Sequence, residues 1–516
     1  MEETGTQMAA APEQEPIGSG LVALTGATGY VGGELLAALA ARGVRVRCLA
    51  RDPAALEGLL PAGAEVVRAD MLEPPTLSSG LAGCDTAYYL VHSMGRARDF
   101  AAADRQAARN FGAAARSAGV QRIIYLGGLA QPGPGVSQHL ASRLEVGQAL
   151  RDSGVPVIEF RASIVLGPGG LSFETMRALV ERLPAMITPR WVRVPCQPIS
   201  ADDLLEYLTA ALDMPAGEAA VIEIGGAQVV SYGELMREYA RQRGLRRLIV
   251  PVAVLTPWLS SLWLGLVTPV HARIGRRLIE GLSTPTVVTD ESGASRFSVR
   301  PKPVAEAIRW ALAEEDHRVE QGNWRLLLRR RVRRGGGGHC RALASEEACY
   351  QRCSVGWRDG HWLMDSRSIR VPCDPESAFE PIRKIGGRNG WYCGSTLWRL
   401  RGLLDRLAGG PGHCRVRTDP AELREGERVD GWRVVLVEPG RRVILRAEMK
   451  MPGRAWLQFE VTGDGPCTIH QTALFDPRGL SGIAYWYAMA PFHNYLFPGM
   501  LRRIARRAVA ACGEQS

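Results

Sequence analysis

The stretch "LVALTGATGYVGGELL", Leu21 to Leu36, constrains this chain more than any other. An apolar run that reads as a strand ends at Thr25, glycines follow at positions 26, 29 and 32, and a helical pattern begins at once. That spacing is a demand on backbone geometry. Gly26 permits a tight turn, Gly29 lets backbone N–H groups approach a pyrophosphate, and Gly32 lets helix and strand pack closely.

The pattern continues in kind. "VRVRCLAR", "AEVVRAD", "DTAYYLVHSM", "QRIIYLGGLA" and "VPVIEFRASIV" are short apolar runs, separated by stretches such as "AAADRQAARNFGAAARSAG" that carry Ala and Leu at helical spacing and end in Gly. Alternating strand and helix predicts an α/β fold, a Rossmann-type doubly wound parallel sheet. After about Gly167 the pattern loosens into a small substrate cap, with helices opened by Ser200 and Ser231. The uncharged run from Leu248 to Val270 is long enough to span a bilayer, but Pro251, Pro257 and Pro269 argue for an apolar lid over a substrate instead.

Four consecutive glycines in "RRRVRRGGGGHC" can sustain neither helix nor packed strand. They mark a basic linker over 321–359, separating a domain at 20–320 from a second at 360–516. In the second domain, "SRSIRVPCDPESAFEPI" reads as a strand and a capped helix. Antiparallel strands follow, joined by "PG" and "GDG" turns, and a long amphipathic helix ends the chain. A curved antiparallel sheet closed by such a helix has room for an apolar cavity, so the segment from about Gly360 to Ala511 is expected to fold alone around an elongated apolar ligand.

Composition narrows the classes. Lys and Arg (63) exceed Asp and Glu (53), giving +10, yet the basic clusters at 324–334 and at Arg502, Arg503, Arg506 and Arg507 lack interleaved aromatics or a nucleic-acid module. They read as a linker and a solvated face, with no nucleic-acid partner. The 11 cysteines form no C-x-x-C pair, which fits reduced thiols in a cytoplasmic protein. His339, Cys340, Cys349 and Cys353 are too irregularly spaced for zinc, and no metal is expected. Residues 1–19 are acidic without an apolar core and read as a disordered tail, neither signal nor transit peptide.

Arg51 follows the second strand, where a cofactor lacking a 2′-phosphate would normally meet an acid. A guanidinium there suits a 2′-phosphate, so NADP(H) is expected ahead of NAD(H). Thr25, Gly26, Thr28, Gly29, Tyr30 and Gly32 form the expected cradle, with Asp70 and Met71 at the adenine.

Thr25 to Gly32, Arg51, Asp70, "YYLVHSM" and "HLASRLEVGQALRDSGVPVIEFRASIVLGPGG" resemble the atypical, NmrA-like branch of the short-chain dehydrogenase/reductase superfamily, over roughly Leu21 to Leu312. The whole chain resembles bacterial NAD(P)H-binding proteins that fuse this domain to a domain of unknown function with a START-like, polyketide-cyclase-like (SRPBCC) helix grip. "GWYCGSTLWRLRGLLDRLAGGPG", "AEMKMPGRAWLQFEV" and "QTALFDPRGLSGIAYWYAMAPFH" carry that second likeness. The resemblance implies an α+β helix-grip domain after the Rossmann domain. It also implies a tyrosine proton donor, a lysine four residues on, and a serine on the fifth strand. Here the strand ends in Gly127 and Gly128, His139 stands for the tyrosine and Arg143 for the lysine. A guanidinium one turn away disfavours the imidazolium, and a neutral imidazole is a poor proton donor.

His139, Arg143 and His92 are the catalytic candidates, with Ser93, Arg161 and Ser163 also at strand ends. Two functions follow. One is an NADPH-dependent reductase or isomerase of an apolar carbonyl, quinone or lipid-like substrate, with peripheral membrane contact. The other is a non-catalytic NADP(H)-sensing or assembly protein of the NmrA or complex I accessory-subunit type.

Overall fold

The computed structural model describes residues 20–56, 59–92, 100–131, 133, 136–251, 281, 283–322, 341–343, 350–355, 361–412, 417 and 419–515. Ser93, residues 252–270 of the apolar run, His339, Cys340, Cys349, the tail 1–19 and the basic stretch 324–334 lie outside them. The described residues divide into two compact units that interleave along the chain. The first draws on Met1–Gly170, Trp191–Tyr232 and Arg276–Ala307, the second on Leu171–Arg190, Gly233–Gly275 and Ile308–Ser516.

The first unit is a Rossmann-type fold. Its strands are β1 (Leu21–Thr25), β2 (Arg45–Ala50), β3 (Ala64–Arg68), β4 (Cys84–Tyr89), β5 (Arg122–Gly128), β6 (Val157–Ala162) and β7 (Ala220–Ile224). They form one sheet in the order β7-β6-β5-β4-β1-β2-β3, with every pairing parallel. Helices α1 (Tyr30–Ala41), α2 (Pro74–Leu81), α3 (Phe100–Ser117), α4 (Gln138–Arg151) and α6 (Ala201–Ala210) cover it. Because both faces are covered, successive strand residues point into two separate cores. Val22 and Leu24 enter one with Leu35, Leu36 and Leu39 of α1, while Ala23 enters the other with Phe111 of α3. The order in which strands are added reverses between β1 and β4, β2 and β3 lying to one side and β5, β6 and β7 to the other, which opens a crevice at the C-terminal ends of the two parallel strands. Ser200 stands at the start of α6 as expected, but its hydroxyl goes to the Asp202 carboxylate and makes no cap to the backbone.

The second unit is built on an antiparallel sheet of eight strands: β8 (Arg341–Leu343), β9 (Tyr350–Val355), β10 (Leu363–Val371), β11 (Arg428–Val429), β12 (Trp432–Glu438), β13 (Arg442–Ala447), β14 (Gly453–Thr462) and β15 (Cys467–Pro477). Their order is β8-β9-β10-β15-β14-β13-β12-β11. Helices α9 (Pro375–Arg383), α10 (Ser395–Leu407) and the 37-residue α11 (Gly479–Gln515) complete the C-terminal part. Asp374 caps α9, its carboxylate accepting from Ser377 N at 3.0 Å. Alternation along each strand separates two faces. Ile369, Val371, Leu457, Phe459 and Ile469 pack under Leu501, Ile504 and Ala508 of α11 and fill the space there. Met364, Ile444, Trp456 and Leu474 on the other face take Val319 of α8 (Val304–Glu320).

Two expectations change here. The segment 321–359 is not all connector, since β8 and β9 extend the sheet beyond β10. The C-terminal sheet also does not stand apart from the helices read as a substrate cap. α5 (Leu171–Arg182), α7 (Tyr232–Gln242) after its first residue and α8 from Ile308 onward share its unit, and buried ion pairs tie them to the sheet. Asp476, buried at the end of β15, accepts from Arg243 at 2.9 Å and from Arg454 at 2.8 Å and also meets His361. Arg243 donates to Glu181 of α5 at 2.7 Å, and Glu181 accepts from Gly479 N at the head of α11. Arg177 of α5 grips Glu315 of α8 with two bonds of 2.6 Å. A fragment beginning at Gly360 would keep Asp476 and lose Arg243.

Asp316, beside this network, sits differently. Burial pushes its carboxyl up to about 7, with Arg454 opposing and Glu315, Asp476 and Glu320 adding to the rise. A folded-state carboxyl raised above its unfolded value favours the protonated form, so its ionisation costs stability that is fully lost only above the folded value. Asp316→Asn is therefore expected to raise Tm at about pH 8, an advantage that shrinks as pH falls and vanishes at about pH 3, below both the folded and the unfolded value of the native acid. Thermal unfolding across that range checks it, and a Tm difference independent of pH would contradict it.

Candidate functional site

The crevice is floored by the glycine turn. Gly26 has φ +75°, and a Cβ there would lie 2.6 Å from the Leu90 carbonyl oxygen after β4. Gly32 is in the first turn of α1, where a Cβ would come within 2.2 Å of the Gly26 carbonyl oxygen. Both positions require glycine, one for conformation and one for closeness. Gly29 is the N-cap of α1, with no side-chain cap and no acid in the first turn. A helix start left without a cap offers its N–H groups to an anion. The residues present therefore fit a dinucleotide pyrophosphate, held by the backbone from Gly26 to Gly32.

Other cradle residues are committed to the scaffold. The Thr25 hydroxyl is buried, donating to Tyr88 O at 3.0 Å and accepting from Leu90 N at 2.8 Å, so it staples β1 to β4. The Tyr30 ring packs against the glycine loop at Gly167, Gly169 and Gly170. Thr28 is exposed at the turn.

Arg51 follows β2 directly and is exposed, and it makes no ion pair among the described residues. Asp70 follows β3, where one carboxylate oxygen accepts from Leu72 N at 3.0 Å. Met71 is buried, its carbonyl held by Asn110 of α3 at 2.9 Å.

At the other end, β4 and α4 bring two histidines together. The His92 and His139 rings lie 4.9 Å apart at 42°. His92 Nδ1 is 3.3 Å from Asp104 of α3, which is 5% exposed. A carboxylate beside an imidazole can orient the ring and fix its tautomer, and the second imidazole packs against it. Asp104 was not among the residues read from the sequence. Nothing in "AAADRQAARN" marks it, apart from an acid on a helix face otherwise rich in alanine.

Arg143 does not join them. Its guanidinium turns back onto the Leu126 carbonyl and lies 5.5 Å over the Tyr125 ring. Tyr125 in turn donates to Arg143 O at 2.9 Å, and burial pushes its phenol up, so it cannot replace the absent tyrosine as an acid. Arg161 is bound to buried Glu159 at 2.8 Å and Ser163 to Thr286 at 2.6 Å, both within the scaffold.

Known proteins with similar sequences agree with this geometry. A family described as NAD(P)H-binding matches residues 26–153. Those residues are an NAD(P)H-binding domain. A second family, described only as a protein of unknown function (DUF2867), matches residues 357–500. The chain is 34% identical over 106 residues to a 4-hydroxy-2-methyl-3-oxo-4-farnesyl-3,4-dihydroquinoline-1-oxide ketoreductase of Stigmatella aurantiaca, covering 20% of this chain and 32% of that protein. It is 31% identical over 172 residues to a ceramide reductase of Caulobacter vibrioides, covering 32% and 53%. The chain thus spans between a third and about half of these relatives' length. Among solved structures, a triphenylmethane reductase of Citrobacter complexed with NADP(H) is 19% identical with a TM-score of 0.45, covering 56% of this chain and 99% of that one.

Glycine at position 128 also has a steric reason. A Cβ there would meet Leu140 Cδ2 at 2.7 Å. Gly128→Ser, which would return a hydroxyl to the strand end, is expected to cost ~1–3 kcal/mol through overpacking. Leu140→Ala in the same chain should recover part of that loss, a coupling that denaturant unfolding of the two single variants and the double variant would measure.

Proposed function

We propose that the first unit is an NADPH-dependent reductase of an apolar carbonyl or quinone-like compound, and that Asp104, His92 and His139 supply the proton. The observation that carries this reading is the convergence of two histidines and a buried carboxylate beside the crevice of an NAD(P)H-binding domain. A nicotinamide supplies a hydride when bound. His139 gives its proton to the carbonyl oxygen as that hydride arrives and takes one back from solvent after product leaves, while Asp104 holds the His92 ring that packs against it. Support for an apolar substrate comes from the two reductase relatives, whose names carry a farnesyl group and a ceramide. The helix-grip reading of the second unit belongs to the same proposal and rests on a long helix laid over one face of an antiparallel sheet.

NADP(H) is assigned over NAD(H) on Arg51, whose guanidinium is exposed at the end of β2. A lost charge-assisted phosphate contact costs ~1.5–3 kcal/mol, so Arg51→Ala should weaken NADPH binding at least about tenfold and leave NADH nearly unchanged. Calorimetry that finds equal affinities for the two cofactors in the native protein would remove the assignment.

One observation favours the non-catalytic alternative of an NADP(H) sensor or assembly factor. Gly127 and Gly128 leave no hydroxyl at the strand end, and Arg143 is turned onto Leu126. NADPH oxidation against a panel of long-chain ketones and quinones separates the two readings. Turnover that falls by about 10²-fold or more in His139→Phe at unchanged NADPH affinity supports the enzyme. Tight NADPH binding with no turnover on any substrate supports the sensor.

A further inference from the structure

The second unit carries a charged feature that cofactor chemistry does not use. Between α9 and α10 the chain runs through Gly386, Gly387, Gly390, Tyr392 and Gly394, all at positive φ. Tyr392 adopts φ +61°, a conformation that non-glycine residues seldom take. Its hydroxyl donates to Pro381 O at 2.8 Å, its carbonyl accepts from Arg503, and the Arg507 guanidinium lies 4.5 Å over its ring. Around this fixed residue is a cavity of about 320 Å³ lined by Asn389, Tyr392, Ser395, Arg503, Arg506 and Arg507.

Three guanidiniums, a hydroxyl and a carboxamide face this cavity, and among the described residues no carboxylate lines it. Among the described residues none of the three arginines has an ion-pair partner. Glu380, the acid electrostatically close to Tyr392, is held by Lys384. Arg503, Arg506 and Arg507 lie at i, i+3 and i+4 on α11, where like charges repel one another. Ser395 opens α10, whose N-cap is Gly394 with no side-chain cap and no acid in the first turn. The donor set matches phosphate oxygens.

The helix that starts at this cavity turns leucine outward. Leu400, Leu403, Leu404 and Leu407 are 50%, 56%, 53% and 78% exposed, at i, i+3, i+4 and i+7. The opposite face of α10 is packed, with Gly402 and Asp405 buried. At 100° per residue the exposed Arg399 and Arg406 flank the stripe on the side of Ser395. On a protein surface an apolar stripe edged with arginine is the composition of a helix that lies in a lipid interface.

We propose that α10 and the cavity at its head form one docking surface for an anionic phospholipid membrane. Arg503, Arg506 and Arg507 take headgroup phosphates, and Leu400, Leu403, Leu404 and Leu407 enter the acyl boundary. Charge complementarity selects this occupant. A protein partner matched to the leucines would leave three unneutralised arginines beside it, whereas an anionic bilayer satisfies both halves at once. The surface stands apart from the reductase reading, and its test does not depend on turnover.

The full chain is incubated with vesicles of phosphatidylcholine alone and of phosphatidylcholine with about three parts in ten phosphatidic acid, then sedimented. Binding to the anionic vesicles only, weakened roughly tenfold or more by Arg506→Glu and by Leu403→Glu with Leu404→Glu, is the expected result. All the substituted side chains are exposed, and an unchanged Tm in each variant confirms folding. Equal binding to both vesicles would overturn the role of the arginines. A loss in Arg506→Glu but not in the leucine variant would overturn the role of the stripe. Stabilisation by inorganic phosphate or glycerol phosphate, without sedimentation on either vesicle, would show a site for soluble phosphate esters and overturn membrane docking. No binding to vesicles or phosphates would overturn the proposal altogether.

Discussion

Asp476 is a carboxylate without solvent exposure, and the second unit is organised around keeping it ionised. Burial alone would drive its carboxyl upward, yet Arg243, Arg454 and His361 together hold it well below the usual range. Removing one partner from such a buried pair costs ~3–5 kcal/mol, because the remaining charge is stranded. An apolar residue could fill the same volume but would not care which helix lay over it. A carboxylate accepts only a geometry that brings its cations, so Asp476 fixes how α7 and its following residue sit on the sheet. Glu181 repeats the device for α5 and the head of α11.

What could be read from the sequence follows the range of each interaction. The glycine turn was legible because the positive φ of Gly26 and the closeness of Gly32 to the Gly26 carbonyl arise within the turn itself, although Leu90, which also crowds Gly26, is far away in sequence. Strand and helix periodicities were legible for the same reason, and the doubly wound parallel sheet followed from them. Unit boundaries were not legible. "SFETMRALVER" shows an ordinary amphipathic helix, and nothing in it announces that Arg177 awaits Glu315 or that Glu181 awaits Arg243 and Gly479. Those pairs depend on residues tens to hundreds of positions away.

The candidate site divides in the same manner. His139 and His92 could be picked out as strand-end and helix-start residues, but their meeting and the presence of Asp104 are tertiary facts. Arg143 shows the reverse case. Its spacing from His139 made it a catalytic candidate in the lysine's place, while the fold gave its guanidinium a nearer acceptor in the Leu126 carbonyl. Gly128 explains why that exchange is stable. With no side chain at the strand end, Leu140 of α4 closes down over the backbone and leaves Arg143 beside it.

The bond from Gly479 N to Glu181 joins residues 298 positions apart, and this distance has a consequence during synthesis. At ~5–20 residues per second, α5 emerges from the ribosome roughly 15–60 s before the head of α11. Within that interval the first unit can close its parallel sheet and Arg177 can meet Glu315, while Arg243 and Glu181 still wait for Asp476 and Gly479. The nascent chain then carries a finished dinucleotide fold and, in the same sequence, helices of the second unit that are still unfinished. Its window of vulnerability to chaperone capture or misassembly is therefore set by the last strand and helix to be translated.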